Sequence, residues 1–191
     1  NMTEFTLHTE DTAPESSKTL LTGAKKAYGF IPNLYAGQAE APALLKGYLS
    51  LAETFNETAL SETERQVIMI ANNRLNGCTY CVAAHTTIAK GAGVNDTVLA
   101  ALRNGTKIPD AKLEALHQFA VRVNESRGWV EQADLDALFA VGYNKQTALE
   151  VIVGTALKVM STYTNHLIAT PLDEAFKANA WSATDVEMAI A

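Results

Sequence analysis

Sulfur is scarce in this chain. Among 191 residues there are two cysteines, Cys78 and Cys81. A structural zinc site takes four ligands, usually as two paired sets. No second pair exists here, and His117 and His166 stand isolated, so no metal is expected. Basic charge is also in short supply: 15 Lys and Arg against 21 Asp and Glu leave a net charge of −6. The only tight basic run is Lys25-Lys26, and nucleic-acid binding needs a concentrated basic face. No apolar stretch approaches the roughly 20 residues that span a bilayer, which argues against a membrane span. Residues 1–18 carry neither the basic nor the apolar part of a signal peptide, so the cytoplasm is the expected compartment. Strands are not expected, because no window alternates with period two between hairpin signals.

What the chain does have is helical periodicity. Apolar residues make up 48% of it, enough at this length for one well-filled domain. Residues 1–15 read as a polar arm, 16–177 as an all-α domain, and 178–191 as a tail, expected to be helical and to dock through Trp181 at a subunit interface. Helices are expected over 16–29, 41–59, 60–77, 78–91, 95–104, 110–126, 131–142 and 144–169. The stripe Leu44, Leu45, Tyr48, Leu51 and Phe55 marks the second. The third opens on a capping box, Ser61 with Glu64, and closes at Gly77, which suits a left-handed C-terminal residue. The last is the longest and most apolar, and is expected to lie centrally.

The two cysteines stand three apart in Asn76-Gly77-Cys78-Thr79-Tyr80-Cys81, with His85 four residues further on. Positions i and i+3 of a helix share a face, about 5 Å apart, within the range a disulfide accepts. The pair can therefore exist as two thiols or one disulfide with little backbone movement. Cys78 falls at the start of a helix, where unpaired N–H groups and the positive dipole end favour a thiolate. A thiolate attacks peroxides and disulfides, and a neighbouring thiol resolves the sulfenic acid before further oxidation. His85 lies one turn beyond Cys81, where an imidazole can approach that thiol. Two small core residues or a zinc site are the competing readings; a redox dithiol explains the clustering better than either.

The stretch LSETERQVIMIANNRLNGCTYCVAAHTTIAKGAGV, with its flanks, resembles the alkylhydroperoxidase D / carboxymuconolactone decarboxylase superfamily, in its peroxidase-related branch. The resemblance covers nearly all of residues 20–177. It implies a single-domain helical bundle with the CxxC at a helix N-terminus, and a homo-oligomer, commonly a trimer or hexamer. It implies hydroperoxide reduction in antioxidant defence, without metal or organic cofactor. By position, Cys81 would attack the peroxide, Cys78 would resolve it, and His85 would accept the proton from Cys81. The implied reductant is an external dithiol, carried by a lipoyl-bearing or thioredoxin-like protein. The chain departs from the pattern at Gln66, where the family's proton relay has a glutamate. An amide can fix a histidine tautomer but cannot stabilise an imidazolium as a carboxylate does. Glu62, one turn earlier on the same face, is the expected replacement, rather than Glu64. Tyr80 stands where some members have a histidine. The alternatives are lactone decarboxylation, in a branch that does not rely on a CxxC, and a non-catalytic redox sensor or disulfide-exchange partner. His166 is expected to favour the helix dipole or, less simply, to line the dithiol pocket. His117 reads as structural, and His8 has no assigned role.

Overall fold

Residues 3–183, which the computed structural model describes, form nine α-helices and one 3₁₀ turn, with no strand among them. The helices are α1 (Glu15–Tyr28), α2 (Asn33–Gln38), α3 (Pro42–Asn56), α4 (Glu62–Leu75), α5 (Thr79–Gly91), α6 (Asp96–Asn104), α7 (Ala111–Ser126), α8 (Gln132–Ala140) and α9 (Lys145–Ile168). A 3₁₀ turn at Glu174–Asn179 follows. The expected helices are all present with small changes at their ends. α2 was not expected: the segment reads as a Phe-Ile-Pro turn, and six residues containing Gly37 give no periodicity to detect.

α4 is the hub, packed against α5, α6, α7 and α9. Its middle, Gln66 through Asn73, is buried on every side, which is why the sequence there is apolar without a clean stripe. Ser61 and Glu64 form the expected capping box at its start. At its other end Gly77 is left-handed (φ 65°), and the N–H groups of Gly77 and Cys78 bond the carbonyls of Arg74 and Asn73, both at 3.0 Å. That arrangement is a Schellman motif. It hands the chain directly to α5, with Cys78 as the N-cap.

α9 lies across α3, α4, α5 and α7 and is about 36 Å long at 1.5 Å per residue. At Gly154 it packs closely on its neighbours: an added Cβ would stand 2.7 Å from Ile68 and 2.9 Å from Phe55. Past the 3₁₀ turn, Trp181 packs on Val82 and donates its indole N–H to the Arg103 carbonyl at 2.9 Å. Trp181 is thus engaged within its own chain. The rest of the expected tail, 184–191, lies outside the described residues. The arm is tied down by His8, whose N–H bonds the Ala36 carbonyl and whose ring contacts Glu40 and Thr12.

Candidate active site

The turn between α4 and α5 sets the sulfur positions. Cys78, as N-cap, has β-region backbone, and its Sγ receives the N–H of Cys81 at 3.2 Å. One turn of α5 then brings the Cα atoms to 5.3 Å, and the two are joined as a disulfide. Both are at most 2% exposed. They differ in outlook: Cys81 lines a cavity of about 200 Å³, whereas Cys78 is not part of its wall.

α5 faces α9 across this site. Cys81 and His85 are one turn apart on α5, and Thr162 and Lys158 are one turn apart on α9. The rungs between them are Cys81 Sγ to Thr162 Oγ1 at 3.8 Å and His85 Nε2 to Lys158 Nζ at 2.7 Å. The helices therefore run antiparallel along the contact. One turn beyond Thr162, the Asn165 side-chain N–H reaches Cys81 Sγ at 3.2 Å and Cys78 Sγ at 3.7 Å.

Behind the sulfurs the polar groups form one ordered chain. Arg65 donates to Glu62 Oε2 at 2.8 Å, and the Gln66 amide N–H donates to Glu62 Oε1 at 3.1 Å. That fixes the amide so that Gln66 Oε1, an acceptor only, faces His85 Nδ1 at 3.2 Å. His85 must then carry its proton on Nδ1, leaving Nε2 to accept from Lys158. Both ring nitrogens are taken, and His85 makes no direct hydrogen bond to Cys81 among the described contacts. Burial, and then the Lys158 charge, push the His85 pKa well below its ordinary 6.5. Burial alone brings Lys158 down to about 7. Glu62 is pushed up by burial, but the donors Gln66 and Arg65 outweigh this and hold it below the usual carboxylate value.

The cavity's remaining wall is mostly apolar and rich in aromatic rings. Tyr28, Tyr35 and Tyr48 run edge-to-face, with ring centroids 5.8 and 5.9 Å apart. Tyr80 donates to buried Asp173, whose carboxylate also accepts the Asn33 N–H at the start of α2. A carboxylate at a helix N-terminus is a favourable placement. Asp173 thereby fixes the tyrosine that this chain has just before the second cysteine.

The site residues named from sequence are thus together: Cys81, His85 and Gln66 line one cavity with Glu62, and Cys78 lies just behind Cys81. Glu64 is elsewhere, in its cap and bonded by Tyr143. His166 is exposed at the end of α9 and is not in the cavity wall, and His117 is buried against Glu114 at 2.8 Å. Sequence reasoning missed Lys158, Thr162 and Asn165. The readable signal was a lone lysine in the apolar run of α9, with polar residues four and seven positions later.

Residues 42–122 match the model of the carboxymuconolactone decarboxylase family. Among solved structures, the chain is similar to the alkylhydroperoxidase AhpD core of an uncharacterized peroxidase-related protein from Ralstonia eutropha JMP134. That match has 22% identity over 92% of this chain and 95% of that one, with a TM-score of 0.81. An uncharacterized peroxidase-related protein from Silicibacter sp. TM1040 matches at 19% over 92% and 96%, with a TM-score of 0.77. The debrominase Bmp8 matches at 21% over 94% and 96%, also at 0.77, and a variant of it is known in complex with 2,3,4-tribromopyrrole. Compared with curated proteins, the chain finds no match. Residues 42–122 thus carry the match to the carboxymuconolactone decarboxylase family, inside an all-helical fold that the whole chain shares with the alkylhydroperoxidase AhpD core.

Proposed function

We propose that this protein is a thiol-dependent hydroperoxide reductase of the cytoplasm, cycling Cys78 and Cys81 between dithiol and disulfide. The observation that carries the reading is the asymmetry of the two sulfurs: Cys81 borders the cavity and Cys78 backs it. A peroxide in the cavity meets Cys81 first. The Cys81 thiolate attacks the outer peroxide oxygen and becomes a sulfenic acid, while the O–O bond breaks to release an alkoxide that takes up a proton. Cys78 then displaces hydroxide from the sulfenic sulfur, which leaves as water with the Cys78 proton, and the disulfide forms. An external dithiol, on a lipoyl-bearing or thioredoxin-like protein, restores both thiols.

Several features support this. Asn165 offers a hydrogen bond to either sulfur, and the N-cap position favours negative charge on Cys78. The apolar and aromatic wall suits an organic hydroperoxide over hydrogen peroxide. A homo-oligomer belongs to the same proposal: Leu149, Ile152, Tyr163 and Leu167, each more than half exposed, lie along one outer stripe of α9. The test is turnover of cumene hydroperoxide with dihydrolipoamide as donor. Parent protein should turn over, and Cys81→Ser should not. Cys78→Ser should stop at a Cys81 sulfenic acid that dimedone traps. If Cys78 is the residue trapped, in the Cys81→Ser protein, the assignment is reversed.

A second reading rests on the four tyrosines of the cavity. The same dithiol could reduce a small halogenated aromatic held against them, a reading prompted by the neighbour Bmp8, which is named as a debrominase. Release of bromide from tribromopyrrole by the reduced chain, without peroxide turnover, would select it.

A further inference from the structure

Lys158 is 1% exposed, and no carboxylate lies within ion-pair distance of it among the described residues. A buried, unpaired cation is costly, and such a lysine is retained at a site when its proton is useful. Its surroundings say where that proton comes from. Every link in the chain of polar groups donates in one direction, from Lys158 to His85, from His85 to Gln66, and from Gln66 to Glu62. The anionic end at Glu62 polarises each donor and makes the Lys158 end the place where positive charge is best accommodated.

Gln66 makes this directional. A glutamate there could take the Nδ1 proton and let a charge run through His85 onto the carboxylate. An amide oxygen cannot, so His85 keeps its Nδ1 proton and the route ends at the lysine. A neutral amine that gives one N–H to His85 still has a lone pair, and Cys81, one rung along the α5–α9 ladder, borders the same cavity.

We infer that Lys158 is the proton store of the dithiol: as an amine it takes the proton Cys81 releases, and as an ammonium it faces the thiolate and returns the proton to the alkoxide. This rests on the peroxidase reading for its second half only. In the first step the S–H bond breaks and an N–H bond forms, giving thiolate and ammonium. In the second, the thiolate takes one peroxide oxygen, and the ammonium proton neutralises the alkoxide to an alcohol. The other titratable groups facing this space are Tyr28 from α1, Tyr35 from α2, Tyr48 from α3, Glu62 from α4, and Tyr80 and His85 from α5. The tyrosines Tyr35, Tyr48 and Tyr80 are pushed upward chiefly by burial, and His85 is pushed well down, so none of these four competes as an acceptor near neutral pH.

The test is residue-resolved alkylation of the reduced protein with iodoacetamide from pH 5 to 9, read by mass spectrometry. Parent, Lys158→Met and Lys158→Gln are compared, each checked for native helix content. Glutamine keeps an N–H donor for His85 but carries no titrating charge. Both variants should shift the Cys81 titration midpoint upward by about one to three pH units and slow Cys81 alkylation at pH 7 about tenfold or more. If Lys158→Gln matches the parent, the lysine only holds His85 in place and the inference fails. It also fails if all three proteins share one midpoint. Alkylation involves no peroxide, so loss of peroxidase turnover in the parent would refute the proposed function while leaving this result readable.

Discussion

At the residue scale, Gln66 decides how the site handles charge. Its N–H group faces Glu62, so Gln66→Glu would set two carboxylates about 3 Å apart, and one of them would have its pKa strongly raised. A carboxylate held above its unfolded pKa costs stability as pH rises. Gln66→Glu should therefore lower the melting temperature more at pH 8 than at pH 5. The exchanged pair Glu62→Gln/Gln66→Glu should recover most of the loss, because it restores one amide between the carboxylate and its neighbours. If Gln66→Glu alone leaves the peroxide rate and the cysteine pKa unchanged, a carboxylate at this position was not limiting here. Lys158 makes a second prediction at this scale. Its pKa falls from the ordinary lysine value to about 7 on folding. Between those values the unfolded chain binds the proton and the folded one does not, so stability rises with pH. Relative to Lys158→Met, the parent should gain about 2–3 kcal/mol between pH 7 and 9 in urea unfolding of the oxidised protein. A flat difference would mean that the lysine is not held neutral. Cys78, Cys81 and His85 were legible in the sequence because helical spacing alone puts them on one face, and Gln66, with Glu62 one turn before it, was legible only through the resemblance of the surrounding stretch to a family. Lys158, Thr162 and Asn165 were not, because they meet the sulfurs only through the packing of α9 on α5, some 80 residues away.

At the element scale, the dithiol is placed by how α4 starts and stops. Ser61→Ala removes one half of the capping box and should cost about 1 kcal/mol. α9 is held against α3 and α4 at Gly154, where a methyl group meets the Ile68 and Phe55 side chains. Gly154→Ala should cost about 1–3 kcal/mol by overpacking, read as a lower urea midpoint. A neutral or stabilising result would show that α9 can move outward, and the Lys158–His85 rung would lengthen with it. The capping box, the left-handed Gly77 and the apolar α9 were readable because each is a local pattern. α2 was not: its first N–H is capped by Asp173, 140 residues away, and nothing in six residues around a proline announces that.

At the scale of the whole molecule, one exposed apolar stripe on α9 stands opposite the face that builds the site. Sedimentation equilibrium should give a multiple of the 20.5 kDa chain mass, and Ile152→Glu with Tyr163→Glu should shift it toward the monomer. A monomeric parent at micromolar concentration would remove the oligomer from the proposal. The central claim is that Cys81 reacts first and Cys78 closes the disulfide. It is tested most directly by counting thiols by mass spectrometry in fully reduced protein after one equivalent of cumene hydroperoxide, with Cys81→Ser alongside. The account predicts rapid loss of both thiols in the parent, no lasting sulfenic acid, and no reaction in the variant. Two intact thiols in the parent after minutes would contradict it.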